Sequence, residues 1–154
     1  MIMAKFTFKL KSILNLKRQL EEQVKFKLGR AIGALNRELS VLRSFEEAIS
    51  MTVDEFRIAS GGVFTAGRIK EYNYFITRMK EKAAEQRIVV SEAEAYVSVV
   101  RAELLAAVQQ RKMYERLREK AYDKYLDEEK HAEQLVVDEL ISYKIGSSLH
   151  GETT

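Results

Sequence analysis

The sequence predicts an all-α protein: a long antiparallel two-helix coiled-coil hairpin with an overhanging C-terminal helix. Three observations predict it. None of the 154 residues is proline, where average usage of about 5% would supply roughly eight, and proline is the residue that most reliably interrupts a helix. Apolar residues recur at alternating steps of three and four on both sides of one uncharged, glycine-containing segment, the mark of helices with one buried stripe. Charged residues make up 32% of the chain, 26 Lys and Arg against 23 Asp and Glu, a balance that suits solvated helix faces better than a one-signed nucleic-acid surface.

The first helix is expected from about 8 to 59. Its stripe reads Leu10, Ile13, Leu20, Val24, Leu28, Ala31, Leu35, Leu39, Leu42, Phe45 or Glu46, Ile49, Val53 and Phe56. A turn follows at about 60–65, where Gly61-Gly62 lies in a stretch without charge. Thr65 can cap the second helix, expected over about 66–144. That helix carries Ile69, Tyr72, Ile76, Met79, Ala83, Gln86, Val90, Ala93, Val97, Val100, Leu104, Ala107, Arg111 and Tyr114 in strict alternation. A stammer from Tyr114 to Leu117 is expected next, before Ala121, Tyr125, Ala132, Leu135 and Leu140 continue the seam. Lys144 and Gly146 supply a stop signal, which leaves 146–154 as a flexible tail of one 1–154 domain.

At 1.5 Å per residue the helices would span about 75 Å and about 120 Å, so they cannot match in length. Folding at Gly61-Gly62 pairs residue i with about 124 − i, and the last 25 or so residues of the second helix overhang. The same rule sets Gly29 and Gly33 opposite Ala95 and Ser91. Small residues facing small residues would let the backbones approach closely there, repaying the roughly 1 kcal/mol that a helix-interior glycine costs.

Most catalytic chemistry is excluded. Without cysteine there is no disulfide, thiolate ligand or thiol nucleophile. Gly62 to Ile69 imitates a phosphate loop, but Arg68 and Ile69 stand where Lys and Ser or Thr are required, and no strand precedes it. Glu128-x-x-His131 has one half of a di-iron spacing and lacks the other, since His150 is the only other histidine. Ser40, Ser44 and Ser91 have no histidine within reach in a two-helix hairpin, and two paired helices form no enclosed pocket. The expectation is a protein that is not an enzyme and holds no cofactor or metal. No apolar run approaches the roughly 18 residues of a membrane span, and Lys5, Lys9 and Lys11 interrupt any signal-peptide core, so a soluble, unprocessed chain is expected.

Function is therefore sought on the surface. Residues 5–30 carry eight cations against Glu21 and Glu22, and Arg111 to Lys120 lies opposite by the pairing rule, making one end of the hairpin basic. Nearer the turn, Phe45, Ile49, Tyr74, Phe75 and Met79 widen the apolar stripe beyond what a two-stranded seam needs.

Phe6-Thr7-Phe8-Lys9-Leu10, Ile13-Leu14-Asn15-Leu16-Lys17, Glu21-Glu22, Tyr72-x-x-Phe75-Ile76, Tyr114 to Lys120 and Asp138-Glu139-Leu140 together, in this order and spacing, resemble the flagellar FliJ family over nearly the whole chain. The resemblance implies a cytoplasmic component of flagellar type III protein export, peripheral to the inner face of the membrane at the flagellar base. It implies a coiled coil, similar to the rotor shaft of F- and V-type ATPases, that inserts in a hexameric export ATPase and promotes its assembly and activity. The other implied partners are the export gate membrane protein and export chaperones, with no nucleic acid, and the chain monomeric on its own. Carried onto this sequence, the ring-facing residues are Lys9, Lys11, Lys17, Arg18, Arg116, Arg118 and Lys120, with Asp138 and Glu139 on the overhang. The gate-facing residues are Leu42, Phe45, Ile49, Phe75 and Met79. The alternatives are the equivalent stalk of a virulence type III secretion system and a coiled-coil holdase chaperone or adaptor.

Overall fold

The computed structural model describes residues 5–59, 61–62 and 65–151. They form two long helices packed against each other as a hairpin, α1 (Lys11–Ala59) and α2 (Ala66–His150). α1 starts three residues later than the periodicity suggests. Phe8 instead closes a turn, its carbonyl accepting from the Lys11 N–H at 3.1 Å, and the Leu10 carbonyl accepts from Leu14 at 2.9 Å. At the other end α1 closes with Gly62 N–H donating to Ala59 O at 3.1 Å, and Thr65 stands at the N-cap position of α2, its carbonyl accepting from Arg68 and Ile69. Ser60, Val63 and Phe64 lie outside the described residues.

α2 continues past Lys144 to His150. Gly146 does not act as a left-handed stop, since no described residue has a positive φ, and the Ser147 and Ser148 hydroxyls donate to the carbonyls of Lys144 and Ile145 within the continuing helix. The overhang is thus the end of α2 itself and not a third helix. Of the expected flexible tail, 152–154 lie outside the described residues.

The chain divides into two compact units, each built from both helices. The first comprises Leu20–Ala107. Its core is Ala31, Val97 and fully buried Val100, with Val24, Leu28, Ile32 and Leu35 packed around them. Phe56 meets Tyr72 edge to face at 5.6 Å. These apolar partners lie one to two turns further along α2 than the 124 − i rule gives, Ala31 clustering with Val97 and Val100 and not with Ala93, whereas Gln86 and Glu38 meet where the rule puts them. Polar pairs flank the seam: Lys27 Nζ to Glu103 Oε2 at 2.8 Å, Arg87 to Glu46 at 3.4 Å, and Gln86 Nε2 donating to both the carbonyl and the carboxylate of Glu38. Glu103 holds the Lys27 ammonium above its ordinary pKa, chiefly through that hydrogen bond.

Gly29 and Gly33 do not sit at a close backbone approach. A Cβ on Gly29 would meet no atom within 4 Å, and one on Gly33 would meet only the Arg37 guanidinium at 3.7 Å. Both line an open outer groove with Phe26, Arg30 and Arg37. The expected contact with Ala95 and Ser91 is therefore absent, and the glycines forfeit helix stability with no intramolecular return. Gly29→Ala is expected to raise the unfolding free energy by about 1 kcal/mol, read as an upward shift of the thermal midpoint in circular dichroism, and no shift would show that the site is not an ordinary helix interior.

The second unit comprises the segments 1–19 and 108–154. Here the first turns of α1 depart from the expected stripe. Leu14 is 2% exposed while Ile13 is 38% exposed, and further along the same helix Glu21 is buried at 5% while Leu20 is open. Steps of three and four counted back from Leu28 give Val24, Glu21, Lys17 and Leu14, so the helical period overrides the preference for leucine. The buried Glu21 carboxylate is compensated by Lys25 one turn on, at 3.2 Å. On α2 the half-buried positions pass from Tyr114 to Ala121 and Tyr125, and Leu117 and Arg118 between them are both exposed. From His131 to Gly151 every residue is exposed.

Candidate functional site on the helix surfaces

Half of the basic end assembles as a packed cluster. Lys17 lies half-buried with its Nζ 5.9 Å from the centre of the Tyr114 ring, and Arg18 pairs with Glu115 at 3.6 Å. Glu115 is shared with Arg111 at 2.8 Å. Ahead of α1, Phe6 sits in van der Waals reach of two rings on α2, Tyr122 at 5.1 Å and Tyr125 at 5.5 Å between centroids. Burial comes first, and the Glu129 carboxylate second, in pushing the Tyr125 hydroxyl above its ordinary pKa. Phe6, Arg18, Glu115, Arg118 and Tyr122 line an open cleft of about 380 Å³. Arg18 and Arg118 thus belong to one face, with an aromatic wall beside them.

Arg116 and Lys120 lie elsewhere. They line a separate groove of about 330 Å³ on α2 with Gln109, Lys112, Met113 and Leu117, where no carboxylate is present. Lys9 and Lys11 are exposed around the start of α1. Asp138 and Glu139 stand on the uncovered stretch of α2. The nine residues expected to face a ring are therefore distributed over two faces and the overhang.

The apolar residues near the turn separate in the same way. Leu42, Phe45, Ile49 and Met79 are half-buried, which accords with the seam positions their spacing gave them, whereas Phe75 is 40% exposed and Tyr74 beside it 73%. Phe75 borders a shallow cleft with Thr52, Glu55, Arg68, Glu71 and Tyr72. Ile49 reaches a second groove with Glu46, Lys80, Ala83 and Arg87. Both clefts mix charge and apolar surface, as the rim of a protein contact does.

Sequence reasoning missed the Phe6–Tyr122–Tyr125 cluster as a unit. Its signal was present, since Tyr122 lies three residues before seam position Tyr125 and the pairing rule brings the N-terminus to that region. The groove around Phe26 was missed because the two glycines beside it were assigned to the seam.

Among the described residues no group of three or more His, Asp or Glu is placed to hold a metal ion, and no helix is long and apolar enough to cross a membrane. The grooves are open and lie on helix faces, an arrangement suited to binding another protein. No curated protein and no solved structure matches the chain. A family model, that of the flagellar FliJ protein, matches residues 6–149. With a match over nearly its whole length, on a two-helix hairpin with surface sites alone, the chain belongs to the flagellar FliJ protein family, the non-catalytic components of flagellar type III protein export.

Proposed function

We propose that this chain is the central stalk of the export ATPase complex: one copy enters the hexameric ring, promotes its assembly and hydrolysis, and links it to the export gate and to export chaperones at the inner face of the membrane. The observation that carries this reading is the end of α2. Leu135, Val136, Val137, Leu140, Ile141, Tyr143 and Ile145 are all 36–76% exposed, and at 100° per residue they point to every side of the helix. Glu133, Asp138, Glu139 and Lys144 stand between them around the helix, so the apolar side chains gather into no single stripe that one neighbouring helix could cover. A socket that surrounds the helix covers those dispersed apolar side chains together, and the pore of a ring is such a socket.

The basic residues follow the same logic. Lys9, Lys11, Lys17, Arg18, Arg116, Arg118 and Lys120 would meet acidic rims of the ring, and Asp138 and Glu139 basic ones, while exposed Phe75 and half-buried Leu42, Phe45, Ile49 and Met79 would meet the gate. A single asymmetric helix pair inside a ring of identical subunits makes unequal contacts with them. It thereby favours one subunit's conformation over another's and biases which site hydrolyses next.

The test is to titrate the purified chain into the export ATPase of the same organism, following hydrolysis together with ring growth by light scattering. Stimulation with hexamer formation is expected, and R116E/R118E is expected to lose most of it through like-charge repulsion at the rim. Unchanged stimulation by that variant would remove these two arginines from the ring contact. Absence of any stimulation by the folded wild-type chain would overturn the stalk reading.

A further inference from the structure

The exposed surface of α2 between Lys112 and Asp138 changes sign along its length. Residues 111–124 carry six cations against three carboxylates, and 127–139 six carboxylates against one lysine. On one face the steps of three and four run from Met113 through Leu117, Lys120 and Lys124 to Asp127, His131, Leu135 and Asp138, so the two halves form one continuous row. Among the described residues Lys112, Arg116, Lys120, Lys124, Asp127 and Asp138 take part in no ion pair. Each half also carries open apolar surface, Met113 at 46% and Leu117 at 40% in the basic half and Leu135 at 52% in the acidic half.

From this row we infer a second function for the same stretch of helix, in place of the monomeric free chain that the family resemblance implies: two copies of the chain pair through it, antiparallel, as a closed dimer. The occupant is another copy because the row is complementary to its own reverse. Laying Leu117 against Leu135 of the second copy puts the two-fold axis at residue 126, and the basic groove of each copy then faces the acidic half of the other. Arg116 comes within a turn of Asp138, and Lys124 within a turn of Asp127, each contact occurring twice, as a two-fold interface requires. A parallel pairing would place lysine against lysine and is disfavoured.

The consequence for the stalk is regulatory, and this step rests on the reading given above. Arg116, Lys120 and Asp138 cannot serve a ring and a second copy together. The dimer covers one face of the overhang, as far as Asp138, in the free chain, and ring entry releases it.

Sedimentation velocity of the full chain tests the dimer without reference to any ATPase. The wild type should pass from monomer to dimer with rising micromolar concentration, and raising salt to about 0.5 M should weaken that association by about tenfold or more. K112E/R116E/K120E makes both halves acidic, and D127K/D138K/E139K makes the acidic half basic. Each variant alone should be monomeric, and an equimolar mixture should recover a dimer, which also shows that neither variant is misfolded. A wild type that stays monomeric throughout, single variants that dimerise like the wild type, or a mixture that remains monomeric would each overturn the inference. A dimer with no effect on hydrolysis would instead remove the stalk reading and leave the dimer standing.

Discussion

Val100→Asp is expected to abolish cooperative packing of the unit formed by residues 20–107. Val100 is fully buried and is clustered with Ala31 and Val97, the centre of a core of buried residues in that unit. The substitution forfeits about 1.5–3 kcal/mol of apolar burial and strands a carboxylate where no cation is within the cluster, adding several kcal/mol more. That sum is comparable with the whole stability of a domain, about 5–15 kcal/mol. Far-UV circular dichroism should lose its sigmoidal melt, and amide exchange in Leu20–Ala107 should approach the unprotected rate. Val100→Ala, which leaves a cavity without a charge, should cost about 2 kcal/mol and keep the transition. A melt of the aspartate variant within a few degrees of wild type would place this position outside the core.

The second large effect concerns activity with no loss of fold. A chain ending at Lys130 lacks the stretch from His131 onward, in which every described residue is exposed. No packing within the chain is removed, so at concentrations too low for the dimer the thermal midpoint should shift by no more than the equivalent of about 0.5 kcal/mol, the usual range for surface changes. Helical ellipticity should fall only in proportion to the residues lost. Stimulation of the export ATPase should nevertheless disappear, because the overhang is the segment whose apolar faces await a surrounding partner. Retained stimulation would move the ring contact to the Arg18 and Arg118 face. A large fall in the midpoint would mean that the overhang packs on the rest of the chain in solution.

How far the fold could be read from the sequence depended on how strictly each helix obeys its period. Along α2 the alternation from Tyr72 to Tyr114 has no polar competitor beyond Gln86 and Arg111, and each of those positions is buried or half-buried. Along the first turns of α1, leucine and isoleucine occur on two faces. Preference for apolar residues picked out Ile13 and Leu20, while the real seam accepts Glu21 because Lys25 compensates its charge. Leu117 misled in the same manner, its side chain facing the basic groove and not the seam. Pairing between helices was harder still, since a count from the turn fixes partners only to within about one or two turns and Ala31 turned out to meet Val97 and Val100.

The surface was legible in kind and less so in place. Charge counts located the basic end, and Lys17, Arg18 and Arg118 do share it with Tyr114, Glu115 and Tyr122. No count could divide Arg116 from Arg118, because residues two positions apart on a helix stand about 200° apart and only the partner helix decides which of them comes beside Arg18 and Glu115. The glycines were misplaced for a related reason: a small residue fits either a tight contact or open space, and composition does not distinguish them.

The bond from Gln86 to Glu38 carries a consequence for how the helices find each other. Heptad repeats are nearly interchangeable, so a pair of long helices could zip up one repeat out of step and still bury apolar surface. A slip of seven would offer Glu38 the thioether of Met79 or the methyl of Ala93 in place of the amide, and would leave Gln86 without its acceptor. Each stranded group costs about 1–3 kcal/mol, a penalty that a shifted pairing cannot recover. The amide and carboxylate therefore act as an indexing mark: they add little to the depth of the native minimum but raise its neighbours, so that one alignment is kept out of several.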